Sequence, residues 1–257
     1  MRILLIRHGD PDYVHDTLTE KGHREAALLS EHAGALNIGD CYMSPLGRAQ
    51  ATAAYTLERL GKKAEVLGWL KEFPGQVDIN QSEELQKAYP NTRTGEGKYQ
   101  LRIAWDMVPS YLTEHPEYLG MESWRQSLVA RHSGLVKTYD DAAEGLDRLL
   151  GQYGYVREGR HYRVVKENTK TIACFCHFGV TCALLSHLWN VSPFVLWHGM
   201  ALAPTSVTEV VSEEREQGVA WFRALRLGDV SHLYAGGEEP SFSARFCEVF
   251  SNTGQRH

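Results

Sequence analysis

No stretch of this 257-residue chain approaches the run of about 20 apolar residues that a membrane-spanning helix requires. The opening run Ile3-Leu4-Leu5-Ile6 is also too short for the core of a secretory signal. A membrane partner is therefore not expected. A disulfide framework is missing as well. The five cysteines, Cys41, Cys174, Cys176, Cys182 and Cys247, are odd in number and share no repeated pair spacing, so they read as reduced core thiols of a cytoplasmic protein. Basic residues are not in excess: the formal charge of -5 leaves no footprint for nucleic acid or an anionic membrane. Metal-ligand spacing is lacking too. His15, His23, His32, His115, His132, His161, His187, His198 and His257 form no i, i+4 pair or Cys-His cluster, and even His23 and His32, on one helix, stand nine apart. No metal or other cofactor is expected. There is no repeat of fixed period and no low-complexity tract, which excludes solenoids and linker-rich architectures.

What remains is an ordinary globular composition. With 43% hydrophobic and 23% charged residues, the chain can bury a substantial core. Arg2 to Ile6 reads as a buried parallel strand that stops at Arg7-His8-Gly9. Thr19 then caps a helix running to the Asn37-Ile38-Gly39 break. Asp40 to Met43 is a second strand. Ser44 and Pro45 read as the N-cap and first residue of a helix ended by Gly61, with Arg48 about one turn inside it. Ala64 to Leu67 offers a third strand. From about 73 to 120 the pattern loosens around Pro74, Pro90, Pro109 and Pro116 into an insertion with short helices, placed over one sheet edge as a cap on the site. Helical texture from Glu122 to Leu150 precedes a peripheral hairpin around Glu158-Gly159. Thr171 to Cys176 is another continuous apolar strand, and it too ends in a histidine, at His177-Phe178-Gly179, before a helix from Val180 to Trp189. Two strands, Pro204 to Ser212 and Val219 to Leu227, flank the charged turn Ser-Glu-Glu-Arg-Glu-Gln-Gly. The last thirty residues read as loop with one weak helix. The expectation is a single α/β domain over 1–257: a three-layer α/β/α sandwich with a mostly parallel central sheet and an inserted, partly helical cap.

Two strands ending in histidines converge if they are neighbours in a parallel sheet, because open α/β sheets present chemistry at their strand C-termini. A phosphoryl group in flight spreads negative charge over its equatorial oxygens, so its site needs fixed cations and N–H donors. Arg7 and Arg48 can supply guanidinium forks, and the helix opened at Pro45 adds oriented N–H groups. A neutral imidazole can attack phosphorus when its other nitrogen is held as a donor. His8 is the better candidate nucleophile, and His177 a donor to non-bridging oxygens.

The segments Leu5-Ile6-Arg7-His8-Gly9 and Leu18-Thr19-Glu20-Lys21-Gly22-His23-Arg24-Glu25-Ala26 together resemble the opening of the histidine phosphatase superfamily, in its phosphoglycerate mutase-like branch. Ser44-Pro45-Leu46-Gly47-Arg48-Ala49-Gln50-Ala51-Thr52-Ala53 is similar to its second signature and Cys176-His177-Phe178-Gly179-Val180 to its third. Gly228-Asp229-Val230-Ser231-His232-Leu233 is similar to its last strand exit. The four come in the family's order over Arg2 to Leu233. The resemblance implies a phosphohistidine on His8, a phosphate pocket of Arg7, Arg48 and His177, no metal, and a middle segment that sets substrate. For the general acid it points to Glu72 in Leu70-Lys71-Glu72-Phe73-Pro74-Gly75, although the glycine comes one residue early; Glu83, Glu84 and Glu114 stand behind it. It also exposes a departure. Many relatives carry a polar Thr, Ser or Glu and then an asparagine after the first signature, where this chain has Asp10-Pro11-Asp12-Tyr13-Val14, and an acid there repels phosphate unless it points away or binds a cationic group of the substrate.

The function so implied is hydrolysis of a small phosphorylated metabolite through phosphohistidine. The alternatives are a cofactor-dependent mutase, for which Arg93, Lys98 and Arg102 could supply cations, and a non-catalytic phospholigand-binding protein. A metallohydrolase using His8 and His177 is a further option, which full activity in excess EDTA would remove. The sequence names neither a specific substrate nor an oligomeric state.

Overall fold

The structure is a computed structural model that describes residues 1–73, 75–90, 97–243 and 245–255; Pro74, Arg93 and His257 lie outside the described residues. Its centre is an eight-stranded sheet. The strands β1 (Arg2–Arg7), β4 (Asp40–Met43), β5 (Ala64–Val66) and β10 (Thr171–Cys176) run parallel in the order β5-β4-β10-β1. Antiparallel strands continue the sheet through β11 (Val207–Glu216), β12 (Val219–Asp229), β9 (His161–Val164) and β8 (Tyr155–Glu158). Small two-stranded ribbons pair β2 (Pro11–Asp12) with β3 (Thr17–Leu18) and β6 (Gln76–Val77) with β7 (Arg102–Ile103).

The alternation of β1 builds the layers. Leu4 and Ile6 face a cluster with Leu29 of α1 (Glu20–His32) and Ala53 of α2 (Gly47–Leu60). Ile3 and Leu5 face the opposite way, into the larger core. That core includes residues of α3 (Glu83–Ala88), α4 (Pro109–Glu114), α5 (Leu128–Arg131), α6 (Leu135–Gln152), α7 (Phe178–Trp189) and α8 (Pro193–Gly199). With both faces covered, β1 and β10 are buried almost throughout, which is why they read as unbroken apolar runs. The middle segment contributes Phe73, Leu85, Tyr89, Met107, Tyr111 and Tyr118 to this same core, in keeping with the aromatics there being packing residues.

The structure corrects several local expectations. The α2 helix begins at Gly47, not at Pro45, and Leu46 is its N-cap without a side-chain cap bond. Ser44 is spent elsewhere, and the Gly47 N–H is received by the Asp16 carboxylate at 2.7 Å. The charged turn is shorter than expected: the β11–β12 ladder pairs Glu216 with Val219, leaving only Gln217-Gly218 at the tip. The helical stretch from Glu122 breaks into a 3-10 turn, α5 and α6. The α8 helix, capped by Ser192 with Pro193 in its first turn, was not anticipated. In the C-terminal stretch α9 (Ser231–Ala235) is the short helix expected there.

Candidate active site

Register brings the two histidines together. Arg7 pairs with Cys176 across β1 and β10, so His8 and His177 leave the sheet side by side, with ring centroids 5.1 Å apart. On the far side of β10, Phe175 pairs with Met43, which delivers Ser44 to the same level. The next segments in space are the N-termini of α2 and α7.

The His8 ring is buried, and its Nδ1 lies 2.7 Å from the Gly9 carbonyl. A carbonyl only accepts, so Nδ1 carries the proton and Nε2 keeps its lone pair. Burial first, and then the charge of Arg7, push the His8 pKa down to about 3, against the opposing pull of the Gly9 carbonyl. The ring is therefore neutral at physiological pH, as a nucleophile must be. Gly9 is held in turn by its N–H to Thr52 Oγ1 of α2. On the other side of His8, Thr205 donates its N–H to the His8 carbonyl while adopting a φ of 56°, a strained conformation for a β-branched residue. Its hydroxyl meets His232 Nε2 at 3.0 Å, which ties the fourth signature segment to the site.

His177 is fully buried, and its Nε2 stands 2.8 Å from Ser44 Oγ. That oxygen also accepts the Leu46 N–H; with the serine hydroxyl donating to Nε2, the His177 proton sits on Nδ1. Burial, reinforced by His8, Arg48 and Arg7, holds the His177 pKa well below its ordinary value. Its Nδ1 is buried without a protein partner, and so are Arg7 Nε and Arg48 Nε. Three buried donors from distant parts of the chain, each on a residue expected in the phosphate pocket, thus have no acceptor among the described residues. Such groups are costly unless something satisfies them.

Both arginines are braced through Nη1. Arg7 donates to the carbonyls of Leu202 and Ser243. Arg48 donates to Asp16 at 2.6 Å and faces the Tyr13 ring at 5.4 Å. Desolvation works to raise the Asp16 pKa but is outweighed by the Gly47 N–H and Arg48, so the carboxyl is held below its usual range. Asp16, Tyr13, Thr205 and the role of Ser44 carry no signal in the sequence, because each acts through a contact between segments.

Glu72 lies at the α7 N-terminus. Its two oxygens accept the N–H groups of Gly179 and Val180, each at 3.0 Å. Desolvation raises its pKa, opposed by those two donors and by the positive charges of Arg7 and Arg48. Gly179 makes this possible: a Cβ there would stand 2.7 Å from Glu72 Oε1 and 2.5 Å from the Trp105 ring. The other carboxylates are elsewhere. Glu84 pairs with Lys87, Glu83 lies in the first turn of α3, and Glu114 is exposed.

The two unexpected acids after Gly9 are occupied. Asp10 accepts hydroxyls from Thr19 and Ser241, and Asp12 caps its own turn through the N–H groups of Val14 and His15 and the His15 ring. Glu25, buried beside Asp10, accepts the N–H groups of Asp10 and Ser241, and burial pushes its pKa up to about 7. Of the cations considered for a mutase, Arg102 pairs with Asp106 at 3.2 Å and Lys98 is exposed.

Residues 3–107 match the model of the histidine phosphatase superfamily (branch 1). No curated protein matches the chain by sequence. Among solved structures, the chain is similar to a mutant phosphoserine phosphatase from Entamoeba histolytica in complex with phosphoserine. The TM-score is 0.58 at 17% identity, covering 90% of this chain and 98% of that one. A mycobacterial glucosyl-3-phosphoglycerate phosphatase with inorganic phosphate gives 0.55 at 18% identity, covering 90% and 98%. The alpha-ribazole phosphatase from Shigella flexneri gives 0.52 at 19% identity, covering 89% and 97%. These likenesses are of fold. The family match covers residues 3–107, which hold the Arg7-His8-Gly9 and Ser44-to-Ala53 segments.

Proposed function

We propose that this protein is a cytoplasmic phosphatase that hydrolyses a small phosphomonoester through a phosphohistidine on His8. The observation that carries the reading is the set of acceptor-less buried donors, Arg7 Nε, Arg48 Nε and His177 Nδ1, beside a neutral His8 whose Nε2 is free to attack. Nε2 forms a bond to phosphorus as the bond to the ester oxygen breaks. The three donors take up the charge on the non-bridging oxygens. Glu72, its pKa raised, gives its proton to the departing alkoxide. As a carboxylate it then takes a proton from water, whose oxygen attacks the phosphohistidine and releases phosphate. The proton count closes with Glu72 protonated and His8 neutral again. The carboxylate at the α7 N-terminus favours turnover over mere binding of a phosphorylated ligand.

The test is to trap the intermediate. Wild-type enzyme mixed with an aryl phosphate and quenched in alkali is expected to carry one acid-labile, base-stable phosphoryl group on His8, with turnover unchanged by excess EDTA. Label on any other residue, or loss of activity to the chelator, would reject the mechanism.

Gly179 offers a second check. Gly179→Ala places a methyl group against Glu72 and Trp105, and is expected to lower kcat by about 10- to 100-fold through displacement of the acid. KM for the same ester should change far less. A KM effect with kcat preserved would show that Glu72 does not act in the chemical step.

A further inference from the structure

A cavity of about 640 Å³ lies beside this site. Its lining includes Trp105, Met107, Phe178, Trp197, Met200 and Phe246, and its size is ordinary for a small-molecule pocket. Two connections tie it to the proposed chemistry. Phe178 directly follows His177, while Trp105 crowds the Gly179 position beside Glu72 and Trp197 donates its indole N–H to the Gly179 carbonyl at 3.1 Å. On the other side, the segments whose Leu202 and Ser243 carbonyls brace Arg7 continue into the lining residues Ala201 and Arg245. The cavity therefore adjoins both the segment that holds Glu72 and the segments that brace Arg7.

Its walls are largely aromatic and its acidic and basic side chains are paired, while His198, held through Nδ1 by the Phe194 carbonyl, presents an Nε2 with no partner among the described residues. Trp105 meets Phe178 edge-on at 5.9 Å and Trp197 at 5.6 Å with a 50° tilt. Asp106 is paired with Arg102, and Arg245 with Glu248 at 3.1 Å. A second phosphate, a substrate carboxylate or an ammonium group entering here would lose water and find its counter-charges engaged. A flat apolar group would bury its surface against rings already arranged in edge-to-face geometry.

We infer that the cavity receives the leaving group of the substrate, and that this group is an uncharged alcohol carrying a flat aromatic or fused-ring body. The inference rests on the phosphomonoesterase reading above. It narrows that reading to one class of ester.

The experiment compares 2-naphthyl phosphate with phenyl phosphate, whose leaving groups are of similar acidity and differ by one ring. In the wild type kcat/KM for the naphthyl ester is expected to exceed that for the phenyl ester by about tenfold or more. Met200→Asp puts a charge into the lining and should bring the ratio to near 1, with phenyl phosphate turnover within about threefold of wild type. Phe246→Ser, at an exposed rim residue that leaves the core untouched, should lower the ratio in part and holds the test open if Met200→Asp misfolds. A wild-type ratio near 1 with efficient phenyl phosphate turnover, or preference for O-phosphoserine over both aryl esters, would overturn the inference and leave the phosphatase reading standing. Turnover of neither ester, with no phosphohistidine formed, would overturn both.

Discussion

A His8→Ala variant is expected to hydrolyse phosphomonoesters at least about 10⁴-fold more slowly than wild type, with no phosphoenzyme detectable. The neighbouring imidazole is a poor substitute, because His177 Nε2 is engaged with Ser44. The fold should survive the change. The main-chain bonds of residue 8, N–H to the Cys176 carbonyl and carbonyl from the Thr205 N–H, do not involve the imidazole, and the side-chain bond lost is the one to Gly9. Thermal unfolding followed alongside kinetics separates the two effects. Turnover within about tenfold of wild type in a folded variant would refute nucleophilic catalysis by His8.

Glu72→Gln is expected to divide substrates by their leaving groups. Esters of aliphatic alcohols need a proton as the bond breaks and should slow by about 10²- to 10⁴-fold. With 4-nitrophenyl phosphate the leaving group departs unaided, so the first step persists and the second, which needs a base for water, becomes limiting. A burst of one nitrophenolate per enzyme followed by slow turnover is the expected trace. Equal slowing of both esters without a burst would assign Glu72 a structural role.

The pH dependence follows with a definite sign. The acid must be protonated, and its pKa is raised above the ordinary 4.5, chiefly by desolvation. Wild-type kcat/KM for an alkyl phosphate should therefore fall as pH rises through that raised value, and the limb should vanish in Glu72→Gln. His8, pushed down to about 3, adds no loss on the acid side above about pH 4.

Much of the proposed phosphate-binding corner was legible in the sequence because its strands are covered on both faces. Arg2 to Ile6 and Thr171 to Cys176 could only be continuous apolar runs, and the polar residues ending them stood out. Arg48 was legible through its place behind Ser44-Pro45, although the helix starts later than expected: Ser44 bonds His177, and a carboxylate from the β2–β3 loop serves the first helical N–H instead. Glu72 was the harder residue, since neither its spacing to Gly75 nor its polarity marks an acid. What distinguishes it is a contact with the start of α7, more than 100 positions away in the chain.

By itself the sequence determined the parallel strands, their crossover helices and the identity of the residues at the strand ends, all of which follow from local periodicity and from which side chains can bear charge beside phosphate. Tertiary structure decided the rest. It turned Asp10 and Asp12 to partners of their own, brought Asp16 and Tyr13 to Arg48, and left Arg7 Nε, Arg48 Nε and His177 Nδ1 buried without acceptors among the described residues. It also set Trp105, Phe178 and Trp197 around one cavity. Such facts depend on register and on which loops meet over the sheet. Those are fixed by the summed packing of distant segments, which no local pattern of residues encodes.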